Sequence, residues 1–378
     1  MSFSKKDNKC LIIKTPCKLI LSGEWAVLEQ NHPCIVLPIN RFVTAKISHA
    51  QKFILNAPDI NVFNLYFSVD PKNGKIFYNT LIPKDIKKKL KLSLCAIGHS
   101  IKFLHENNIT IIPFKLILNS SQTVFKKPDG NILKLGLGSS AAITVSICKA
   151  ILGLHNIDIY SNTIKDLIFK LSAIAHLRAQ NGIGSCCDIA ASCYQVPIIY
   201  TRFDPTYLSC NNNSLSSCVK SIWPGLSIKP VYIPPDLILC TGYTGKSVFT
   251  PDLISRLQDY KKNNLSEYNA LCVEISQIVK ALVLALKNND SKKICELINL
   301  NSQVLSKLSL CSGLSLDSGK MGKLVLLAKQ AGACAKISGA GAGDCGIALC
   351  FDKKTEQKVK ASWRNSGIIP LDLKYLIK

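Results

Sequence analysis

Apolar residues along this chain change period in an order that predicts an α+β protein. Leu11-Ile12-Ile13, Leu19-Ile20-Leu21 and Ile35-Val36-Leu37 read as a strand pair interrupted by a loop across Cys10 to Val43. Phe114 to Asn119 is again strand-like and leads into a polar loop from Ser120 to Asn131. Helical spacing follows at Ile143, Ile147, Ala150, Ile151 and Leu154, a stripe able to pack one helix face against a core. Ser161 to Gln180 repeats that spacing at Ile164, Leu167, Ile168, Leu171 and Ala175, with Ser161 at the N-cap. After Ile198-Ile199-Tyr200 comes a Ser/Asn/Cys-rich stretch, Ser209 to Ser221, with the composition of a linker or excursion. Beyond it Leu237-Ile238-Leu239 is strand-like, and helical patterns occupy Asp252 to Leu286, Ser291 to Leu305 and Lys323 to Gln330. The chain closes with strands at Ala335-Lys336-Ile337 and Ile347 to Cys350, a helix through Val359 and an extended Leu371 to Ile377. The expected division is a first domain over 1–205 and a second over 206–378, with the linker at about 206–225.

The polar loop delivers Lys134-Leu-Gly-Leu-Gly-Ser-Ser-Ala-Ala142 to the start of the first helical stripe. Gly136 and Gly138 permit positive φ and close backbone approach, and Ser139 and Ser140 stand where the helix begins. Open N–H groups and the positive dipole end of the helix then face the loop, which is the chemistry of an anion cradle. A helix start behind a glycine turn, with no ligand, uses the same residues. A Walker-type loop is excluded, because no Lys closes the segment. Gly136, Gly138 and Ala141 match a dinucleotide fingerprint in form, but a second helix follows where that unit needs a strand. Gly341, Gly343 and Gly346 run into a strand and fail the same test.

Composition narrows the class. At 378 residues, with 47% apolar and 19% charged positions, the chain is globular and long enough for two cores. Lysines at 5, 6, 9 and 14 break any apolar signal region, and no continuous apolar run approaches the roughly 20 residues of a bilayer span. With no membrane segment expected, the chain reads as cytoplasmic. Seventeen cysteines, an odd number without a Cys-x-x-Cys pair, read as reduced thiols packed among apolar neighbours, as at Cys148 and Cys272. The net charge of +23 would attract polyanions. The lysines are dispersed, however, with short runs only at Lys87-Lys89 and Lys126-Lys127, and no aromatic-interleaved basic motif appears, so no specific nucleic acid is expected as partner.

Two further segments complete a pattern: Lys14-Thr-Pro-Cys-Lys-Leu-Ile-Leu-Ser-Gly-Glu-Trp-Ala-Val27 and Lys336-Ile-Ser-Gly-Ala-Gly-Ala-Gly-Asp344. With the Gly136 loop between them, the order and spacing resemble the three motifs of the GHMP kinases. The stretch Ala175 to Tyr194, Tyr200-Thr-Arg-Phe203 and Gly242-Tyr-Thr-Gly-Lys246 narrow the likeness to members whose acceptor is itself a phosphate. The resemblance implies an N-terminal ribosomal-protein-like domain and a C-terminal ferredoxin-like α+β sandwich with a cleft between them. It implies ATP and Mg²⁺, and conversion of 5-phosphomevalonate to 5-diphosphomevalonate, with a neutral alcohol such as mevalonate or a sugar as the alternative acceptor. A basic nucleic-acid-binding protein reusing the fold is the non-enzymatic alternative, and the assembly would be a monomer or a homodimer.

Carried over by motif position, Lys18 and Asp188 match the catalytic pair. Ser140 matches the hydroxyl that meets Mg²⁺ and phosphate, within a nucleotide-phosphate segment Lys134, Gly136, Leu137, Gly138, Ser139, Ser140, Ala141. Ser185 matches a serine near the transferred group, and Ser338, Gly339, Ala340 and Gly341 a loop beside the phosphates and the acceptor. Phosphoryl transfer needs positioning and charge neutralisation more than covalent chemistry, so Lys18, Lys134, Arg202 and Lys246 are the candidate cations between two phosphates. Glu24 reads as a structural ion-pair partner, and His176 as a hydrogen-bonded structural residue. Cys17, Asn31, Ala342 and the Cys186-Cys187 pair depart from the family's pattern, each adding a Cβ where the family has none or altering packing.

Overall fold

The computed structural model describes residues 10–78, 81–126, 130, 132–210, 214–246 and 250–377. The first part of the chain runs β1 (Cys10–Ser22), β2 (Pro33–His49), β3 (Phe53–Ala57), β4 (Val62–Asp70), β5 (Lys75–Phe77), α1 (Lys84–Glu106), β6 (Phe114–Asn119), β7 (Val124–Lys126) and β8 (Ile132–Lys134). It continues through α2 (Ser139–Leu154), α3 (Asn162–Ala179), α4 (Cys187–Tyr194), β9 (Ile198–Thr201), α5 (Pro205–Cys210), α6 (Leu215–Lys220) and β10 (Ser227–Pro230). The second part holds β11 (Ile238–Tyr243), α7 (Thr250–Asn263), α8 (Leu265–Lys287), α9 (Ser291–Ser312), α10 (Lys320–Gln330), β12 (Cys334–Ile337), β13 (Cys345–Cys350), α11 (Lys353–Asn365) and β14 (Ile369–Leu371). The larger sheet has the order β10-β9-β2-β6-β3-β4-β5 with β1 paired to β2, and the smaller is β12-β13-β11-β14. Strands pair antiparallel except β3 with β6. The α+β expectation holds.

β1 and β2 are buried on both faces, so alternate residues feed different cores. Ile13, Ile20, Cys34 and Val36 join the core under α1, α2 and α3. Leu19, Leu21, Ile35 and Leu37 join the core built by α8, α9 and the smaller sheet. This explains why β1 is continuous where the sequence suggests two short strands with a loop between: Pro16 sits at a register shift, Pro16/Cys17, where a missing N–H is tolerated. Lys18 therefore lies inside a strand.

Four other expectations change. α2 is not one-faced, since Thr144, Ser146, Cys148 and Lys149 are buried along with the apolar stripe, between β1 and β2 on one side and α1, α3 and α4 on others. The polar loop before it folds into the hairpin β7–β8, apart from residues 127–129 and 131, which lie outside the described set. The supposed linker is packed: Leu215, Cys218, Val219 and Trp223 enter the first core and β10 pairs with β9, so the larger sheet extends well past residue 205. Residues 211–213 of that stretch are outside the described set. The long helical pattern from Asp252 breaks at Asn264, whose φ and ψ of −136° and 45° leave the helix.

By length and composition α8 also passes for a membrane span, with a mean hydropathy of 1.6 over its best window, half of it buried. Its apolar positions are interrupted by polar ones, which is why continuous runs understate it. Leu271, Ile275, Ile278, Leu282 and Leu286 pack it into the second core. β3, β4, β5 and α1 have no counterpart in the sequence reading.

Candidate active site

The glycine loop is fixed to the middle of β1 by its backbone. The Lys18 amide donates to the Leu137 carbonyl at 2.9 Å, and the Leu137 side chain is buried in the second core. Gly138 precedes α2 in the left-handed conformation (φ 77°, ψ 33°). The helical ladder starts with the Ala142 amide on the Gly138 carbonyl at 3.2 Å. The amides of Ser139, Ser140 and Ala141 consequently have no acceptor within the helix. The turn and the helix start thus fall at the residues expected of them.

Side chains converge on it. A Cβ placed on Gly138 would stand 3.0 Å from Lys18 Cε, a tight approach, and 3.6 Å from Asp188 Cβ, an ordinary contact, so both side chains pack beside this glycine. Lys18 is buried, and its Nζ ends 3.9 Å from where a Gly339 Cβ would lie. The geometry thus brings Lys18, Asp188, the Gly138 loop and the Gly339 loop together. Asp188 occupies the first turn of α4, where its Oδ1 accepts the Ile189 amide at 2.9 Å. It is not the N-cap, a place held by Cys186.

His176 borders the same group. Its Nε2 lies 3.4 Å from Ser140 Oγ and 3.2 Å from Gln180 Nε2. Burial holds its pKa below the usual imidazole value, with the Asp188 charge opposing. The single lone pair on Nε2 of a neutral ring takes one of these two neighbours, the Gln180 N–H or the Ser140 hydroxyl. His176 is accordingly a structural partner of the cradle.

The third segment closes the cleft through contacts invisible in the sequence. Ser338 Oγ donates to the Ile20 carbonyl at 2.8 Å and accepts the Ile20 amide at 3.1 Å. That clamp occupies the hydroxyl expected at the acceptor and makes Ser338 a positioning residue, hanging the Gly339 loop beside Lys18. Lys336 and Glu24 form a buried ion pair, and Lys336 Nζ also donates to the Ile337 carbonyl at 2.6 Å. Glu24 has the structural role expected of it. Ala340 packs on the second core, and Gly341 is pressed against the Leu316 carbonyl. Asp344, the last residue of the third segment and not among the candidate site residues, stands against the glycine loop: a Cβ on Gly136 would come within 2.5 Å of its Oδ2. Its place at the end of the third glycine segment was the available signal.

The remaining candidates are more dispersed. Ser185 Oγ accepts the Cys187 amide at 3.4 Å, and the Ser185 carbonyl takes the Tyr200 hydroxyl at 2.5 Å. Arg202 is buried beside them, its Nη1 donating to the Leu28 carbonyl while Nε has no partner among the described residues. Lys246 is exposed, held near the third segment by its carbonyl, which accepts the Asp344 amide at 2.9 Å. Lys134 is exposed in β8, and its carbonyl takes the Tyr243 hydroxyl at 3.2 Å. Neither exposed lysine reaches the Lys18 cluster by a described contact. Of the departures, Asn31, Cys186 and Ala342 keep positive φ, at 64°, 65° and 57°. Cys17 is buried in β1, where burial pushes its thiol up to about 12.

The fold, with Lys18 of β1 set between two glycine loops, is that of a small-molecule kinase, and the chain belongs to the GHMP kinases. The family's N-terminal domain matches residues 102–195 and its C-terminal domain residues 282–369. Among individual relatives, a phosphomevalonate kinase from Streptomyces sp. strain CL190 is 26% identical over 380 residues, 97% of each chain. A mevalonate kinase from Saccharolobus solfataricus is 25% identical over 359 residues, 94% of each chain. The Streptococcus pneumoniae phosphomevalonate kinase in complex with phosphomevalonate and AMPPNP superposes with a TM-score of 0.80 at 25% identity, covering 97% of this chain and 100% of that one.

Proposed function

We propose that this mevalonate-pathway GHMP kinase transfers the γ-phosphoryl group of ATP to 5-phosphomevalonate, giving ADP and 5-diphosphomevalonate. The observation that carries the reading is the passage of Lys18 across Gly138 toward Gly339, with Asp188 alongside. Open amides of Ser139, Ser140 and Ala141 receive the nucleotide phosphates, and Lys18 neutralises charge between donor and acceptor. The acceptor's second pKa is about 6, so near neutrality it already presents an oxyanion and needs no base. Its oxygen attacks γ-phosphorus and the bond to ADP breaks. Asp188 then orients Lys18 and does not move a proton.

Mg²⁺ takes hard oxygen ligands, often one or two carboxylates plus substrate phosphates. Ser140 Oγ in the first turn of α2 and the Asp188 carboxylate beside Gly138 are such donors, so the residues fit it. When bound it supplies charge neutralisation on the phosphates. Similarity to a phosphomevalonate kinase with both ligands bound supports the acceptor, while the mevalonate kinase match makes mevalonate the rival. ADP release measured side by side with the two acceptors separates them. Turnover with 5-phosphomevalonate and little with mevalonate is expected; turnover of mevalonate alone would overturn the choice.

A further inference from the structure

A second cavity, of about 660 Å³, opens on the other flank of α2, between β1, the start of α3, the end of α4 and the chain end at Leu376 and Ile377. It is distinct from the cleft. Lys14 is four residues from Lys18, about 13 Å along a strand, and Lys149 is ten residues past Ser139, about 15 Å along the helix. Three lysines, Lys14, Lys149 and Lys165, line it together with Ile13, Ile159 and Leu376. The described lining holds no carboxylate, and Asp166, whose field reaches Tyr194, is paired with Lys170 at 2.6 Å.

Lys149 is the unusual member. It is an amine on a helix buried on all sides, only 7% exposed. Its Nζ donates to the Cys193 carbonyl at 3.3 Å, one acceptor for a group with three donors. Burying such a charge is costly unless a counter-charge meets it, and burial indeed lowers its pKa. An anion entering the cavity would supply the charge and the missing acceptors. Three lysines and no arginine make a set of point charges, suited to a phosphate dianion more than to the planar grip of a carboxylate. The volume falls in the range of about 300–1,000 Å³ typical of small-molecule sites.

The geometry points to a binding site for a small phosphorylated molecule with an apolar body. Its phosphate faces Lys14, Lys149 and Lys165, and its body lies on Ile13, Ile159 and Leu376. This site is independent of the proposed kinase reaction. Calorimetric titration of the full chain with n-hexyl phosphate and with inorganic phosphate tests it. Hexyl phosphate should bind at least tenfold tighter than inorganic phosphate. Lys149→Met and Lys14→Ala should each weaken it tenfold or more at unchanged kinase rate, while Lys18→Met leaves it intact. Lys14 is exposed, so Lys14→Ala keeps the test open should Lys149→Met fail to fold. Equal affinity for the two phosphates, no effect of either cavity variant, or loss of binding in Lys18→Met would overturn the inference.

Discussion

Lys18 and Gly138 make one unit, because the lysine side chain lies against the position a Cβ on Gly138 would take, 3.0 Å from its Cε. Lys18→Met should lower kcat by about 10²–10³-fold, the size of loss expected when one preorganised charge stabiliser is removed, with a melting temperature close to that of the parent. A near-normal rate would show that Lys18 is not catalytic. Asp188→Asn should lower the rate while leaving the shape of the pH profile. If the acceptor supplies its own oxyanion, kcat/KM climbs toward pH 6 and levels off above it in parent and variant alike. A profile that titrates in the parent and flattens only in the variant would make Asp188 a base. The departures at Cys186 and Ala342 hold left-handed backbone, which costs a non-glycine residue about 1–2 kcal/mol. Ala342→Gly relieves that strain but adds entropy to the unfolded chain, about 0.4–1 kcal/mol, whereas Cys186→Gly would also empty a side chain from the first core. Chemical denaturation should find Ala342→Gly modestly more stable, and a clear loss would refute the strain argument.

Among the elements, β1 organises the site. It carries Lys18, ties the glycine loop through its amide, and receives the third segment through the Ser338 clamp and, just beyond its end, the Glu24–Lys336 pair. Removing one partner of a buried pair typically costs about 3–5 kcal/mol, whereas removing both costs less. Lys336→Met alone should therefore lower the denaturation midpoint sharply, and Glu24→Gln with Lys336→Met should recover part of it. A double variant worse than the sum of the singles would contradict the pairing. The glycine loop and α2 were legible because an anion cradle needs glycines and hydroxyls at fixed local spacing. The Asp344–Gly136 approach and the Ser338 clamp were not, because each joins residues some two or three hundred positions apart. α1 went unread although Leu90, Ile97, Ile101 and Leu104 carry its helical spacing, because its start is crowded with lysines. The run of β1 through Pro16 was not, because a bulge leaves no periodic signature.

For the whole molecule, two cores share the strands β1 and β2, so the cleft depends on both being folded. Four histidines, His32, His99, His155 and His176, have pKa values lowered chiefly by burial from the ordinary 6.5. The unfolded chain binds protons there more readily, so stability is fully present above pH 6.5 and is lost as pH falls through the lowered values. Thermal melting should shift down progressively below pH 6.5; a melting temperature that rises on acidification would reverse the sign assigned to these groups. The central claim, that the cleft joins two phosphates and does not phosphorylate an alcohol, is tested most directly by ³¹P NMR of the protein with ATP, Mg²⁺ and 5-phosphomevalonate. The expected result is loss of the phosphomonoester signal and growth of a coupled pair of diphosphate resonances beside those of ADP, absent with Lys18→Met. An unchanged phosphomonoester signal, with a new phosphomonoester formed when mevalonate is supplied instead, would contradict it.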